Sequence, residues 1–168
     1  MQRSRWSNSS TGFRPTAAAA ELCEAAPAAN KMGKRRKARE VALQFLYQLD
    51  QTGADDPTPF EDEFWDRHPV DGEARAFAGS LVRGAKAQQP KIDAIIAECA
   101  EHWDLERMAV VDRNILRMAV YELLCEPAVP GKVAINEAIE IAKKFGTAES
   151  SRFINGVLDR IHRELRPA

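Results

Sequence analysis

The sequence predicts an all-α protein, a compact bundle of about seven helices with a disordered N-terminal tail, and three observations carry that prediction. Apolar residues recur at i, i+3, i+4 and i+7 in one segment after another. No stretch alternates with period two in β-branched residues. The connections between segments are short and punctuated by Gly and Pro. No repeat of fixed length is present, which argues against a solenoid.

Residues 1–31 are rich in Ala, Ser, Asn and Pro and show no sustained apolar period, so they read as a disordered tail. Met32-Gly33 stands directly before a basic run, which makes Met32 an alternative start for the natural product and residues 1–31 an upstream extension. The helical domain then covers 32–168. Its first helix lies in the stretch 31–50, where Ala38, Val41, Ala42, Phe45, Leu46 and Leu49 fall on one side. Arg36, Arg39, Leu43 and Tyr47 run nearly opposite. A line of guanidinium groups leading to an aromatic ring suits phosphates followed by a stacked base. The same pattern fits a solvated basic N-terminus with Tyr47 at the core edge.

Thr52-Gly53 and Asp55-Asp56-Pro57 stop this helix. A short helix with Phe60, Phe64 and Trp65 ends at His68-Pro69, and the next carries Ala74, Phe77, Ala78, Leu81, Val82 and Ala85 behind an Asp71 cap. Pro90 restarts the chain, and Ile92, Ile95, Ile96, Cys99 and Trp103 share the inner face of a further helix. A short turn at 104–107 precedes a longer helix from about Val111 to Cys125, with Val111, Ile115, Met118, Ala119 and Leu123 inward. Asp112, Arg113, Asn114 and Arg117 are expected outside, as solvated ion pairs of ~0.3–0.5 kcal/mol each. After the loop from Glu126-Pro127 to Pro130-Gly131, Val133, Ile135, Ala138, Ile139, Ala142 and Phe145 form a clear stripe, with Glu140 and Lys144 paired on the other face and Gly146 as the stop. The last helix, capped by Thr147 or Ser150, turns Phe153, Ile154, Val157, Leu158, Ile161 and Leu165 inward. Gly156 within it costs ~1 kcal/mol relative to Ala, and close backbone packing is the expected compensation.

Formal net charge is -1 over 168 residues, so a nucleic-acid site must be local rather than global. Lys31, Lys34, Arg35, Arg36, Lys37 and Arg39 supply such a locality without an intervening acid. Cys23, Cys99 and Cys125 are widely spaced and read as free thiols of a reducing compartment. With neither a signal peptide nor a long apolar run, the expectation is a cytoplasmic protein without membrane association. Phosphate-binding Gly loops, nucleophile elbows, HExxH helices and paired metal ligands are all missing, and His68, His102 and His162 are scattered. The expectation is therefore no catalytic residue, no metal and no cofactor, and a binding module rather than an enzyme.

Three separated blocks resemble the NusB family of transcription antitermination factors. They are Arg35-Arg-Lys-Ala-Arg-Glu-Val-Ala-Leu-Gln-Phe-Leu-Tyr47, then Asp112-Arg-Asn-Ile-Leu-Arg-Met-Ala-Val-Tyr-Glu-Leu123, and Lys132-Val-Ala-Ile-Asn-Glu-Ala-Ile-Glu-Ile-Ala-Lys-Lys-Phe-Gly146 continuing to Phe153-Ile-Asn-Gly-Val-Leu-Asp159. The resemblance spans about residues 32–166. It implies a helical bundle that binds the single-stranded boxA element of ribosomal RNA transcripts jointly with the ribosomal protein that doubles as NusE. Other Nus factors and RNA polymerase complete the assembly that suppresses termination. The resemblance further implies RNA contacts at Lys34, Arg35, Arg36, Arg39, Tyr47 and Glu149, and protein-partner contacts at Glu106 and Asp112. Replacing Arg36 and Arg39 by Ala is expected to weaken RNA binding without unfolding the bundle. The nearest alternatives are a NusB-like domain of the kind that precedes ribosomal RNA cytosine methyltransferases, a protein-interaction module whose basic run aids solubility, and a helical enzyme without a known motif.

Overall fold

The computed structural model describes residues 32–165, so the readings of residues 1–31, including Lys31 and Cys23, lie outside the described residues. Seven α-helices and two short 3-10 turns make up the described residues, and no strand occurs among them. The helices are α1 (Met32–Thr52), α2 (Glu61–Arg67), α3 (Gly72–Ala87), α4 (Gln89–Cys99), α5 (Val110–Cys125), α6 (Gly131–Phe145) and α7 (Ser150–Leu165). Their ends follow local chemistry. Gly53 has φ +70°, and the bonds from Ala54 N–H to the Leu49 carbonyl (3.0 Å) and from Gly53 N–H to the Asp50 carbonyl (3.3 Å) close α1 in a Schellman motif. Asp71 Oδ1 accepts from the Ala74 N–H at 2.9 Å, the expected cap of α3. At the start of α7 the Ser150 hydroxyl accepts from the Thr147 N–H at 2.9 Å.

The helix at the centre is α5, which packs against α1, α3, α4, α6 and α7. It is buried almost all round from Asn114 to Glu122, which a single inward stripe does not foresee. Gly84 lets α3 approach it closely, because a Cβ there would lie 2.0 Å from Tyr121 Cζ. Gly156, by contrast, faces open space, so the expected backbone packing at that glycine is absent. Trp103 also departs from expectation. Helix α4 ends at Cys99, and the indole is 53% exposed instead of joining the core.

Helix α1 is likewise enclosed, since Ala38 to Leu43 are all buried, Leu43, Arg39 and Glu40 among them. Polar side chains survive there because other helices supply their counter-charges. The polar residues of α5 behave the same way. Asp50 on α1 accepts from Arg113 Nη2 (2.6 Å), Asn114 Nδ2 (2.9 Å) and Arg117 Nη1 (3.2 Å), while Arg117 also forks onto Asp93 of α4 (2.8 and 3.0 Å). These groups form an internal network, with Asn114 1% exposed, rather than separate solvated pairs. On α6 the expected Glu140–Lys144 pair is replaced by Glu140–Lys143 and by Lys144 reaching Glu40 at 3.0 Å.

Candidate nucleic-acid interface

The basic run begins α1 before that helix enters the bundle, so its early residues face solvent and its later ones do not. Lys34, Arg36 and Lys37 are exposed and Arg35 is half-buried. Acids from distant parts of the chain meet several of them. Lys34 Nζ lies 3.3 Å from Asp71, and Arg36 forks onto Glu137 of α6 through Nε (2.8 Å) and Nη2 (2.9 Å). The Arg35 guanidinium stands 5.0 Å from the Phe77 ring centroid, a cation–π distance. Lys37 makes no ion pair among the described residues. Helix spacing puts Tyr47, 42% exposed, on the Arg36 side of α1, roughly 16 Å further along at 1.5 Å per residue.

Arg39 is the exception and requires a correction. Its side chain is 3% exposed, with Nε and Nη2 holding both oxygens of Glu122 at 2.7 to 3.0 Å and Nη1 4.0 Å from Glu137. A residue so enclosed cannot reach a phosphate without the bundle opening. Burial opposes its charge, but Glu122 and Glu137 outweigh that effect and hold the guanidinium firmly protonated. Arg36 is also raised, chiefly by its hydrogen bond to Glu137. Glu137 in turn is held below the ordinary carboxylate range, first by that bond.

A polar cleft beside Arg36 is lined by Glu40, Glu140, Lys143 and Lys144, which adds two half-exposed lysines to the basic surface. The sequence reading missed both, although adjacent lysines at the end of α6 are visible as a doublet. A second groove, about 480 Å³, lies between the 3-10 turn Leu105–Arg107 and the starts of α5 and α7. Asp112 and Glu149 both line it, together with Trp103, Arg107, Arg152 and Phe153. Thus two expected residues from different roles share one groove. Glu106 stands exposed on the adjacent turn, its N–H directed to Asp104 Oδ1 at 3.4 Å. Trp103 packs edge-on against Phe153, with centroids 5.7 Å apart. Asp112 Oδ1 is shielded from solvent and has no hydrogen-bond partner among the described residues. Sequence periodicity places both aromatics inward; Phe153 is half-buried against the core as expected, while Trp103 is exposed.

Other chemistry-bearing groups have structural surroundings. His68 stacks on Phe64 with centroids 4.1 Å apart and its Nδ1 sits 3.0 Å from the Phe64 carbonyl. Burial pushes the Cys125 thiol up to about 12 and the Cys99 thiol up to about 11, so both remain protonated and unreactive near neutrality. No cluster of three or more His, Cys, Asp or Glu suited to a metal occurs among the described residues, and no helix there is long and apolar enough to cross a membrane.

Comparison with known proteins agrees with this geometry. The NusB family model matches residues 36–163. The transcription antitermination protein NusB of Desulfosudis oleivorans is 48% identical over 136 residues, covering 80% of this chain and 88% of that protein. NusB of Koribacter versatilis is also 48% identical, covering 80% and 92%. Among solved structures, T. maritima NusB superposes with a TM-score of 0.72 at 42% identity over 79% of this chain and 93% of that one. A crystal structure of antitermination factors NusB and NusE in complex with dsRNA gives 0.72 at 28% identity, covering 79% and 98%. Because the family model spans most of the described bundle and near-half identity extends over nearly the full length of these relatives, the chain belongs to the NusB family.

Proposed function

We infer that this protein is a transcription antitermination factor that binds boxA RNA of ribosomal RNA transcripts together with a NusE-type ribosomal protein, suppressing termination by RNA polymerase. The observation that carries this reading is the family membership over residues 36–163, joined to a relative solved with NusE and RNA. The protein acts by binding and not by catalysis, within the cytoplasm where transcripts emerge. Lys34, Arg35, Arg36 and Lys37 at the exposed start of α1 supply the phosphate contacts, with Lys143 and Lys144 flanking them. Arginines there neutralise phosphates and release counterions, which steepens the salt dependence of binding. Phosphate contacts alone give no sequence preference. Tyr47 and the Trp103–Phe153 groove offer aromatic faces on which unstacked bases rest, with Glu149 at the rim. Arg39 takes a different part, as an internal brace for the Arg36 surface.

Asp112 and Glu106 present the acidic surface for the protein partner. In its favour, Glu106 stands exposed on the 3-10 turn beside the groove that Asp112 lines. The test is titration of a boxA-type single strand with and without the NusE partner across a salt series. Tighter RNA binding with the partner present, and a log–log salt slope of roughly -2 to -3 for three or four phosphate contacts, are expected. Equal binding to a scrambled strand, or no gain from the partner, would reject the reading.

A further inference from the structure

Arg36 is the one exposed arginine of the basic run whose guanidinium is gripped from beneath by a buried carboxylate. Its side chain is 46% exposed, whereas that of Glu137 is only 5% exposed, and two parallel bonds of 2.8 and 2.9 Å join them. Glu137 is itself backed by Arg39 at 4.0 Å, and Arg39 is locked onto Glu122 of α5, which is 2% exposed. The four charges alternate in sign from the middle of the bundle to its surface, across α5, α1 and α6. Each internal member has a counter-charge, so the row is self-consistent in a low-dielectric setting. At its outer end, Arg36 Nη1 has no acceptor among the described residues.

We propose that Glu137 is a positioning residue for RNA binding: it holds the Arg36 guanidinium in a fixed fork through Nε and Nη2, which leaves Nη1 to donate to a phosphate oxygen. This rests on the reading of the α1 start as the RNA surface. A free arginine loses its rotamer entropy when it meets a phosphate, whereas a guanidinium already fixed by a carboxylate has lost it on folding. The carboxylate carries a negative charge close to the RNA, so two effects of Glu137 oppose one another. Electrostatics alone predicts that removing this charge tightens RNA binding. Positioning predicts that it weakens binding.

The sign of that change is measurable with the full chain and the boxA-type single strand, using Arg36→Ala, Arg36→Lys, Glu137→Gln and the Arg36→Lys/Glu137→Gln pair in a salt series, with thermal melting alongside. Arg36→Lys keeps the charge but cannot occupy the fork. The expected result is that Arg36→Lys and Glu137→Gln each weaken binding by about tenfold, the scale of a part of arginine's rotamer entropy. The salt slope stays near that of the wild type in both, and the double variant binds no worse than either single one. Arg36→Ala loses more and flattens the slope by about 0.7. Tighter or unchanged binding by Glu137→Gln, wild-type affinity of Arg36→Lys, or additive losses in the pair overturn the positioning role while a weakened Arg36→Ala preserves the RNA surface. Unchanged affinity and slope for Arg36→Ala overturn both. Should Glu137→Gln fail to fold, Arg36→Lys decides the matter, because its site is at the surface.

Discussion

Arg36 and Arg39 are three residues apart in one basic run and have opposite physical situations. Arg39 lies 5.3 Å from the Phe77 ring centroid and is bonded in bidentate fashion to Glu122, with 3% of its side chain exposed. Its loss leaves a buried carboxylate without a counter-charge, which costs about 3–5 kcal/mol. Arg39→Ala is therefore expected to lower the denaturation midpoint steeply, and Arg39→Met combined with Glu122→Leu to recover most of the loss; equilibrium urea unfolding measures both. This replaces the expectation that Arg39→Ala leaves the fold intact. Arg36→Ala takes the fork from the buried Glu137 but leaves Arg39 4.0 Å from it, so it is expected to lower the melting temperature less than Arg39→Ala does and to weaken RNA binding, as a filter-binding titration would read. Residue type alone made the two look equivalent. The difference is whether α5 offers a carboxylate beneath the side chain, and that carboxylate is 83 positions away from Arg39.

At the scale of elements, two of the glycines inside helices, Gly84 and Gly156, have opposite roles. Gly84 sits where α3 meets α5, against the rigid Tyr121 ring. A methyl group there must push the helices apart, so Gly84→Ala is expected to destabilise by about 1–3 kcal/mol in chemical unfolding. Gly156 on α7 has no atom within 4 Å of a built Cβ, so Gly156→Ala is expected to raise stability by ~0.5–1 kcal/mol through helix propensity and reduced chain entropy. Helix existence and most caps were legible in the sequence because they depend on neighbours along the chain. Asp71 and Gly53 are such cases. The enclosure of α1 and α5 was not legible, because Arg39, Glu40, Asn114, Arg117 and Glu122 look like a solvated face until their partners are known.

Across the whole molecule, carboxylates tie helices together and make stability depend on pH. Burial by itself would raise Asp50, but hydrogen bonds from Arg113 and Asn114 and the charges of Arg113 and Arg117 prevail and hold it below its ordinary 3.8. Glu137 is held below its ordinary 4.5, chiefly by the bond from Arg36 and against its own desolvation. Unfolded, both bind protons more readily, so their stabilisation is complete above those ordinary values and disappears as pH falls through the lower folded ones. Thermal melts are expected to show little dependence on these groups above about pH 5 and a steep loss on the acid side below about pH 4. Asp50→Asn is expected to lower the neutral plateau and make the acid limb shallower.

The sequence by itself determined the helical class, the positions of seven helices, the family and the local basic surface, because apolar periodicity, capping and the three blocks are all carried by residues close in the chain. It also singled out Asp112 and Glu149, though not that they share a groove with Trp103 and Phe153. Only the tertiary structure decided which charges face solvent. An ion pair inside the bundle is formed by residues tens of positions apart, and burial is a property of what packs over a side chain rather than of the side chain. The same basic residues therefore divide into an internal brace at Arg39 and an accessible surface at Lys34, Arg36 and Lys37.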